Sequence, residues 1–200
     1  MNMDLSGKTI LFLGSSVTYG SAANGVSFVE QLAEKCGCSV VKEAVSGTTL
    51  VDNGPDSYVA RMKTMDTSAK ADLFVCQLST NDATQGKPAG AFDGCMDTST
   101  IAGAMEFIID YARRTWNCPV AFYTNPRYDS AAYAAMVDLL YECRGKYGVG
   151  VIDLWNDDAF NAITDAQRAE YLADPIHPTL KGYREWWLPV FEENIVKMCR

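Results

Sequence analysis

Histidine and basic charge are both scarce in this sequence. The 200 residues include one histidine, 17 lysines and arginines, and 25 aspartates and glutamates, which gives a formal net charge of −8. Affinity for nucleic acid rests on Lys and Arg, so this balance argues against nucleic-acid binding. A cationic helix lying on a membrane surface is disfavoured for the same reason. We therefore expect no nucleic-acid partner and no membrane insertion.

Long apolar runs and paired metal ligands are also missing. No run approaches the eighteen residues of a membrane-spanning helix. Residues 1–8 lack the basic flank and apolar core of a signal peptide, so we expect a cytoplasmic protein. With one histidine and no Cys-x-x-Cys pair, we expect no metal site. Scattered cysteines of odd number fit a reducing compartment; they are Cys36, Cys38, Cys76, Cys95, Cys118, Cys143 and Cys199.

Apolar runs of strand length alternate with segments of helical period along the whole chain. Strands are predicted at residues 9–13, 39–45, 73–78, 120–123 and 149–154. Helices are predicted at residues 27–35, 99–116 and 130–146, and a last helix begins near residue 179. Strands that are apolar throughout and separated by helices predict a parallel sheet covered on both faces. The expected architecture is an α/β fold, a three-layer α/β/α sandwich with five parallel strands, in a single domain over residues 1–200.

Small polar residues follow the first three predicted strands. They lie at residues 14–20 (GSSVTYG), 46–49 (SGTT) and 79–82 (STND). In open parallel sheets, functional sites form outside the carboxyl ends of the strands. These three segments are therefore where chemistry is expected.

The single histidine, His177, lies three residues after Asp174 and directly before Pro178. Pro178 biases His177 away from helical backbone. Asp174, three residues earlier across a proline turn, is placed to bond one imidazole nitrogen and leave the other free, as in a catalytic triad. The plainer alternative is that Asp174 caps a short turn begun by Pro175. Both roles are compatible.

Ser16 is the candidate nucleophile, since a base such as His177 would activate its hydroxyl. The backbone N–H groups of Ser16 and Gly47 and the side-chain amide of Asn81 are candidate donors to an oxyanion. Each residue also has an ordinary structural interpretation. Ser16 is a possible helix cap, Gly47 a turn glycine, and Asn81 a turn former that bonds its own backbone.

Taken together, these segments resemble the SGNH hydrolases, also called the GDSL esterase/lipase family. Residues 10–20 (ILFLGSSVTYG) are similar to the family's nucleophile block, and residues 79–82 (STND) to its asparagine block. Residues 174–183 (DPIHPTLKGY) closely resemble the block with the Asp-x-x-His pair. The resemblance implies a flavodoxin-like three-layer fold. It also implies a triad of Ser16, His177 and Asp174, and an oxyanion hole formed by Ser16, Gly47 and Asn81.

The resemblance further implies a two-step serine esterase that uses no metal or organic cofactor. Its substrate would be a small carboxylic ester, with O-acetyl or another short acyl group on a carbohydrate as one option. Two residues depart from the family pattern: Ser15 replaces an aspartate and Ser79 replaces a glycine. Ser15, Ser79, Tyr19 and Arg127 are candidates for substrate contact. For Arg127, a solvated loop arginine is the alternative.

Two other classes of function remain as alternatives. A flavodoxin-like carrier of flavin or phosphate would use the Ser-, Thr- and Gly-rich residues 14–20. That loop lacks a Walker pattern and a GxGxxG pattern. A catalytically silent carbohydrate-binding module on the same fold would stack sugar rings on exposed aromatic side chains. The candidates for stacking are Tyr19, Trp155, Trp186 and Trp187.

Overall fold

The structure is a computed structural model that describes residues 5–199, and its centre is an all-parallel sheet of five strands. In chain order the strands are β1 (Thr9–Gly14), β2 (Ser39–Ala44), β3 (Leu73–Gln77), β4 (Val120–Tyr123) and β5 (Gly150–Ile152). Their spatial order is β2-β1-β3-β4-β5. The chain thus leaves β1 toward one edge and returns on its other side at β3. This reversal puts the end of β1 at the switch point where open α/β sheets form sites.

Helices connect the strands. They are α1 (Ser16–Tyr19), α2 (Phe28–Cys36), α3 (Tyr58–Met62), α4 (Thr80–Thr84), α5 (Ile101–Trp116), α6 (Ala131–Tyr147), α7 (Asp158–Asn161), α8 (Asp165–Tyr171), α9 (Leu180–Gly182) and α10 (Leu188–Met198). The long predicted helices begin where capping serines and threonines lie, at Ser27, Thr100 and Ser130. Each of these side chains accepts a backbone N–H of the first turn, which satisfies a group that the helix itself leaves unpaired.

Two separate apolar cores cover the two faces of the sheet. Leu11 and Leu13 of β1 pack on one face, with helices α3, α5 and α6. Ile10 and Phe12 point to the other face, where α2 and α10 pack. Side chains along a strand alternate between the two faces of the sheet, so a strand that is apolar at every position contributes to both cores. The three-layer α/β fold with five parallel strands is therefore confirmed.

The edge strand β2 differs from the prediction that every strand is apolar throughout. Its sequence is SVVKEA, and none of its six residues is fully buried. It pairs only with β1, so its other edge has no strand beside it in the described sheet. Charged side chains such as Lys42 and Glu43 are typical of edge strands, because they discourage pairing with another chain.

The last helix is interrupted by a π-helical segment. Thr179 caps α9 as expected, and Tyr183–Trp187 then forms a π-helix before α10 begins. Tyr183 and Trp187 are both fully buried in this segment. Among the residues that the structure describes, no helix is long and apolar enough to cross a bilayer.

Candidate active site

Ser16 lies at the start of α1, directly after the turn that ends β1. The side chain of Thr18 comes so close to Gly14 that a Cβ at residue 14 would overlap it. Glycine therefore lets the strand turn sharply into the helix at this point. Ser16 itself is 7% exposed, at the carboxyl edge of the sheet.

A buried glutamine holds this turn in place. Gln77 of β3 accepts hydrogen bonds at Oε1 from the backbone N–H of Ser15 (2.9 Å) and from Oγ1 of Thr18 (2.8 Å). Because Thr18 donates its proton to Gln77, its oxygen is left to accept the Tyr123 hydroxyl at 2.6 Å. Side chains of β3 and β4 thus fix the backbone around the candidate nucleophile.

The hydroxyl of Ser16, the ring of His177 and the carboxylate of Asp174 form one hydrogen-bonded chain. Ser16 Oγ is 2.8 Å from His177 Nε2, and His177 Nδ1 is 2.7 Å from Asp174 Oδ2. When Nδ1–H donates to Asp174, Nε2 is unprotonated and accepts the Ser16 proton. The geometry therefore suits a serine nucleophile activated by a histidine base.

Asp174 both orients the ring and shapes the turn that carries it. Its Oδ1 accepts the backbone N–H groups of Ile176 (2.8 Å) and His177 (2.9 Å). Burial acts to raise the pKa of Asp174. The two amides and the His177 ring together outweigh burial and hold this pKa below its ordinary value. The capping role and the histidine-orienting role, which the sequence left as alternatives, thus occur together.

Gly47 and Asn81 follow the two strands that flank β1, so the sheet order brings their segments beside Ser16. Gly47 has a φ of +80°, a left-handed conformation that favours glycine over residues with a side chain. The Asn81 amide donates one hydrogen to the carbonyl oxygen of Thr48 at 2.9 Å. An amide nitrogen has two hydrogens, so the second remains available to a ligand.

Asp82 anchors the loop after β2 from inside the protein. Its fully buried carboxylate accepts the backbone N–H groups of Leu50 (2.7 Å) and Val51 (3.0 Å). Burial raises the pKa of Asp82, although the hydrogen bonds from Ser79, Val51 and Leu50 act against that rise. The loop that carries Gly47 is thus held by the residue next to Asn81.

The sequence did not single out three side chains that build this site: Gln77, Asp82 and Arg61. Gln77 is a polar residue inside an otherwise apolar strand, and that contrast is a usable signal. In the sequence, Asp82 resembles an ordinary turn residue, and Arg61 lies outside every predicted strand and helix. Their buried partners are distant along the chain, so no local pattern reveals them.

Two of the predicted substrate contacts are corrected by the structure. Ser15 and Ser79 are both fully buried. Ser15 bonds Gln77, and Ser79 Oγ contacts the Thr48 carbonyl at 3.4 Å. The polar character of both residues serves hydrogen bonds inside the protein, so neither is placed to touch a substrate.

The other two candidates for substrate contact are exposed. Tyr19 is 43% exposed, and the ammonium group of Lys42 lies over its ring. The guanidinium of Arg127 donates to the Trp155 carbonyl at 2.7 Å and pairs with Asp158. Arg127 is therefore a solvent-exposed loop arginine that makes two local contacts, and its role in substrate contact stays a prediction.

Two cavities border the site. One, of about 460 Å³, lies between the residues that follow β4, helix α8 and the turn of Asp174, and Arg127 lines it. The other, of about 300 Å³, lies along the loop after β2 and is lined by Ser46, Gly47, Thr48, Asn53, Gly54 and Asp56, among others. This second cavity is polar, and Gly47 is one of the residues that line it.

The aromatic residues do not form an exposed stacking platform of the kind that a silent sugar-binding module requires. Trp187 is fully buried, and Trp186 is 7% exposed and stacks on Phe160. Trp155 is half-buried against Tyr133. Tyr19, at 43% exposed, is the most exposed member of this predicted set within residues 5–199. The structure thus gives this alternative little support.

The structure is thus an α/β fold in which Ser16, His177 and Asp174 form one hydrogen-bonded chain beside the carboxyl ends of the strands. The chain belongs to the GDSL-like lipase/acylhydrolase family, whose model matches residues 12–185. Membership supports acylhydrolase activity, which acts on ester bonds, and it favours this class over a flavin carrier. No curated protein matches the sequence.

Solved structures share the fold at low sequence identity. A protein from Lactobacillus plantarum is 21% identical with a TM-score of 0.77, covering 96% of each chain. A protein from Bacteroides ovatus described as a GDSL-like lipase is 18% identical (TM-score 0.70; 96% of this chain, 99% of that one). A carbohydrate acetylesterase family member from Sinorhizobium meliloti is 17% identical (TM-score 0.67; 96% of this chain, 99% of that one).

Proposed function

We propose that this protein is a serine esterase that removes short acyl groups, such as acetyl, from a small hydroxyl-rich alcohol of the carbohydrate type. The observation that carries the proposal is the chain from Ser16 Oγ through His177 to Asp174, with contacts of 2.8 and 2.7 Å. These are the distances at which a histidine accepts a serine proton while a carboxylate orients its ring.

In the first step, Ser16 Oγ attacks the ester carbonyl while His177 Nε2 takes the hydroxyl proton. The carbonyl oxygen becomes an oxyanion, which the amides of Ser16 and Gly47 and the Asn81 side chain receive. His177 then gives the proton to the departing alcohol, leaving the acyl group on Ser16. Asp174 keeps the proton at Nδ1 and stabilises the ring while it is charged.

In the second step, His177 takes a proton from water, and the resulting hydroxide equivalent attacks the acyl carbon. The same donors receive the second oxyanion. The C–O bond to Ser16 then breaks, Ser16 takes the water-derived proton from His177, and the carboxylic acid leaves. The alcohol keeps the proton that Ser16 gave up and a water proton replaces it, so the protein ends as it began and the residues named are sufficient for turnover.

The polar cavity beside Gly47 supports an alcohol with several hydroxyl groups. The side chains of Ser46, Asn53 and Asp56 line it and offer both donors and acceptors. Specific sites fix small ligands with a few well-placed polar groups of this kind. The likeness to a carbohydrate acetylesterase family member is consistent with this substrate class.

The test is hydrolysis by wild type, Ser16→Ala and the matched control Ser68→Ala. Ser68 is an exposed loop serine bonded to Asp66. The substrates are p-nitrophenyl esters from acetate to octanoate and an acetylated sugar series. We expect the wild type and the control to prefer acetate, and Ser16→Ala to be inactive. Full activity in a folded Ser16→Ala variant would refute the mechanism, and a preference for octanoate would refute the short acyl group.

A further inference from the structure

Arg61 is a buried arginine whose guanidinium bonds four different segments. It lies on α3 and is 6% exposed. Nη2 donates to the carbonyl oxygen of Gly14 (2.7 Å) and to Thr48 Oγ1 (3.1 Å). Nη1 donates to Glu43 (2.9 Å), and Nε donates to the carbonyl oxygen of Asp56 (2.8 Å). A buried charge is costly unless it is hydrogen-bonded. Here all three guanidinium nitrogens, Nε, Nη1 and Nη2, have hydrogen-bond partners.

Two of these bonds join the segments that carry the candidate oxyanion donors. Gly14 stands two residues before Ser16, and Thr48 directly follows Gly47. The backbone carbonyl of Thr48 in turn accepts the Asn81 amide at 2.9 Å. The Arg61 guanidinium therefore bonds one residue two positions from Ser16 and another next to Gly47. Through Thr48 it is also linked to the Asn81 amide.

We infer that Arg61 is a positioning residue of the oxyanion hole, which it holds by clamping the end of β1 to the loop after β2. The inference rests on the proposed function, because it concerns the same site. Arg61 acts through its neighbours and touches no substrate. Donors that are fixed before the reaction need no rearrangement when the oxyanion forms, and this fixation is the larger part of their effect on rate.

Lysine cannot replace Arg61 in this role. A guanidinium is planar and presents donors on several edges, whereas an ammonium is a point charge on a flexible stem. Arg61→Lys keeps the charge opposite Glu43 and loses the simultaneous bonds to Gly14 and Thr48. The change therefore separates a geometric role from a purely electrostatic one.

We expect Arg61→Lys to lower kcat about 100-fold, near the effect of losing one oxyanion donor, with KM changed less than about threefold. An interaction that matters only in the transition state lowers kcat rather than raising KM. The matched control is Arg113→Lys, since Arg113 is an exposed arginine on α5 that donates to the Tyr147 carbonyl at 2.7 Å. The control should keep wild-type kinetics.

A double-mutant cycle with Asn81→Ala tests whether Arg61 acts through the hole. If it does, Arg61→Lys costs much less in the Asn81→Ala background than in wild type. A merely structural role gives multiplicative losses, which would overturn the inference. Circular dichroism and thermal unfolding check that each variant is folded.

A second variant guards against misfolding of Arg61→Lys. Thr48→Val keeps the shape of the side chain and removes the Oγ1, which accepts from Arg61 and donates to the Val45 carbonyl at 2.7 Å. We expect about a tenfold loss of kcat, the equivalent of the bond to the charged Arg61. Wild-type kcat in folded Thr48→Val and Arg61→Lys would overturn the inference.

Phosphonylation separates this inference from the proposed substrate. A p-nitrophenyl alkylphosphonate reacts with an activated serine, which forms a Ser16–phosphorus bond and releases p-nitrophenolate, whatever the natural ester is. We expect wild type to be labelled at Ser16, and Arg61→Lys to be labelled about 100-fold more slowly. Equal rates in both proteins would reject the role of Arg61 alone. Absence of labelling in wild type would reject the esterase mechanism and this inference with it.

Discussion

The two sides of the active site are built differently. On the oxyanion side, the fully buried Asp82 and the largely buried Arg61 tie the loop after β2 to the interior. On the base side, the side chains of Asp174 and His177 are 48% and 25% exposed, and a four-residue turn holds them. Substitutions on the base side should therefore affect mainly rate, and substitutions on the oxyanion side should affect stability more strongly.

Few bonds attach the base turn to the rest of the molecule. Ala173 donates its N–H to the carbonyl oxygen of His177 at 2.9 Å within the turn. Asn125, which follows β4, donates to the carbonyl oxygen of Ile176 at 3.3 Å. The sequence of this turn can change without unfolding the apolar core, because the backbone hydrogen bonds of the turn are mainly local.

The largest expected effect is on the base side. His177→Ala should lower kcat about 10⁶-fold, because within residues 5–199 Ser16 Oγ is bonded to no side chain other than His177. The unfolding midpoint in urea should stay near that of wild type. The double variant Ser16→Ala/His177→Ala should be no slower than either single variant, since the two residues act as a unit. A large loss of stability in His177→Ala would contradict the proposed difference between the two sides.

Asp174→Asn should lower kcat about 10⁴-fold, because the amide favours the wrong tautomer of His177. The pKa of Asp174 is lowered from 3.8, so the ionised carboxylate stabilises the fold. This stabilisation is complete above pH 3.8 and is lost as the pH falls through the lowered pKa. Urea unfolding from pH 7 to pH 3 measures the difference in free energy of unfolding between wild type and Asp174→Asn. This difference should be constant over most of the range and shrink only at the acid end. A difference that begins to shrink near neutral pH would contradict this account.

Asn81→Ala should lower kcat about 10²–10³-fold through the loss of one oxyanion donor. It should also lower stability slightly, because the Thr48 carbonyl loses the nearer of its two donors and keeps only Ser79 Oγ at 3.4 Å. The control is Asn194→Ala, whose amide donates to the Val190 carbonyl on α10. Steady-state kinetics and thermal unfolding of both variants measure the two effects. Unchanged kcat in Asn81→Ala would remove Asn81 from the oxyanion hole.

Asp82→Asn should have the smallest effect on rate and a clear effect on stability, of about 1–3 kcal/mol, because one buried backbone N–H loses its acceptor. The pKa of Asp82 is raised above 3.8, so the folded protein binds this proton more tightly than the unfolded chain. Wild type therefore loses stability as the pH rises from about 3.8 through the raised pKa, and the variant lacks this dependence. The advantage of wild type over Asp82→Asn should shrink over that interval in urea unfolding. A constant difference would contradict the raised pKa.

The sequence predicted the sheet better than it predicted the connections. Strands β1 and β4 lie where their apolar runs do, because a strand buried on both faces has to be apolar at nearly every position. The prediction failed for β2, whose edge position admits charge. The short helices α3, α7 and α8 were missed, since one or two turns give too little period to recognise.

At the site, the sequence predicts the residues that would take part in the reaction. It does not predict the residues that hold them in position. Ser16, Gly47, Asn81, Asp174 and His177 stand at strand ends or in a proline turn, which are local features of the sequence. The partners of Gln77 and Arg61 lie on other strands and loops, so only the folded arrangement reveals them. The catalytic roles of the first five residues and the positioning role of Arg61 stay predictions until the variants are measured.

The π-helical segment Tyr183–Trp187 is the place between the histidine and the last core residues where the chain can change length by one residue. A π-helical turn closes i→i+5 hydrogen bonds and therefore holds one residue more than an α-helical turn. Deleting one residue here should convert the segment to regular α-helix and leave Phe191 and Ile195 of α10 buried. A deletion within α10 itself has no such outlet, because it would rotate every later residue by about 100°.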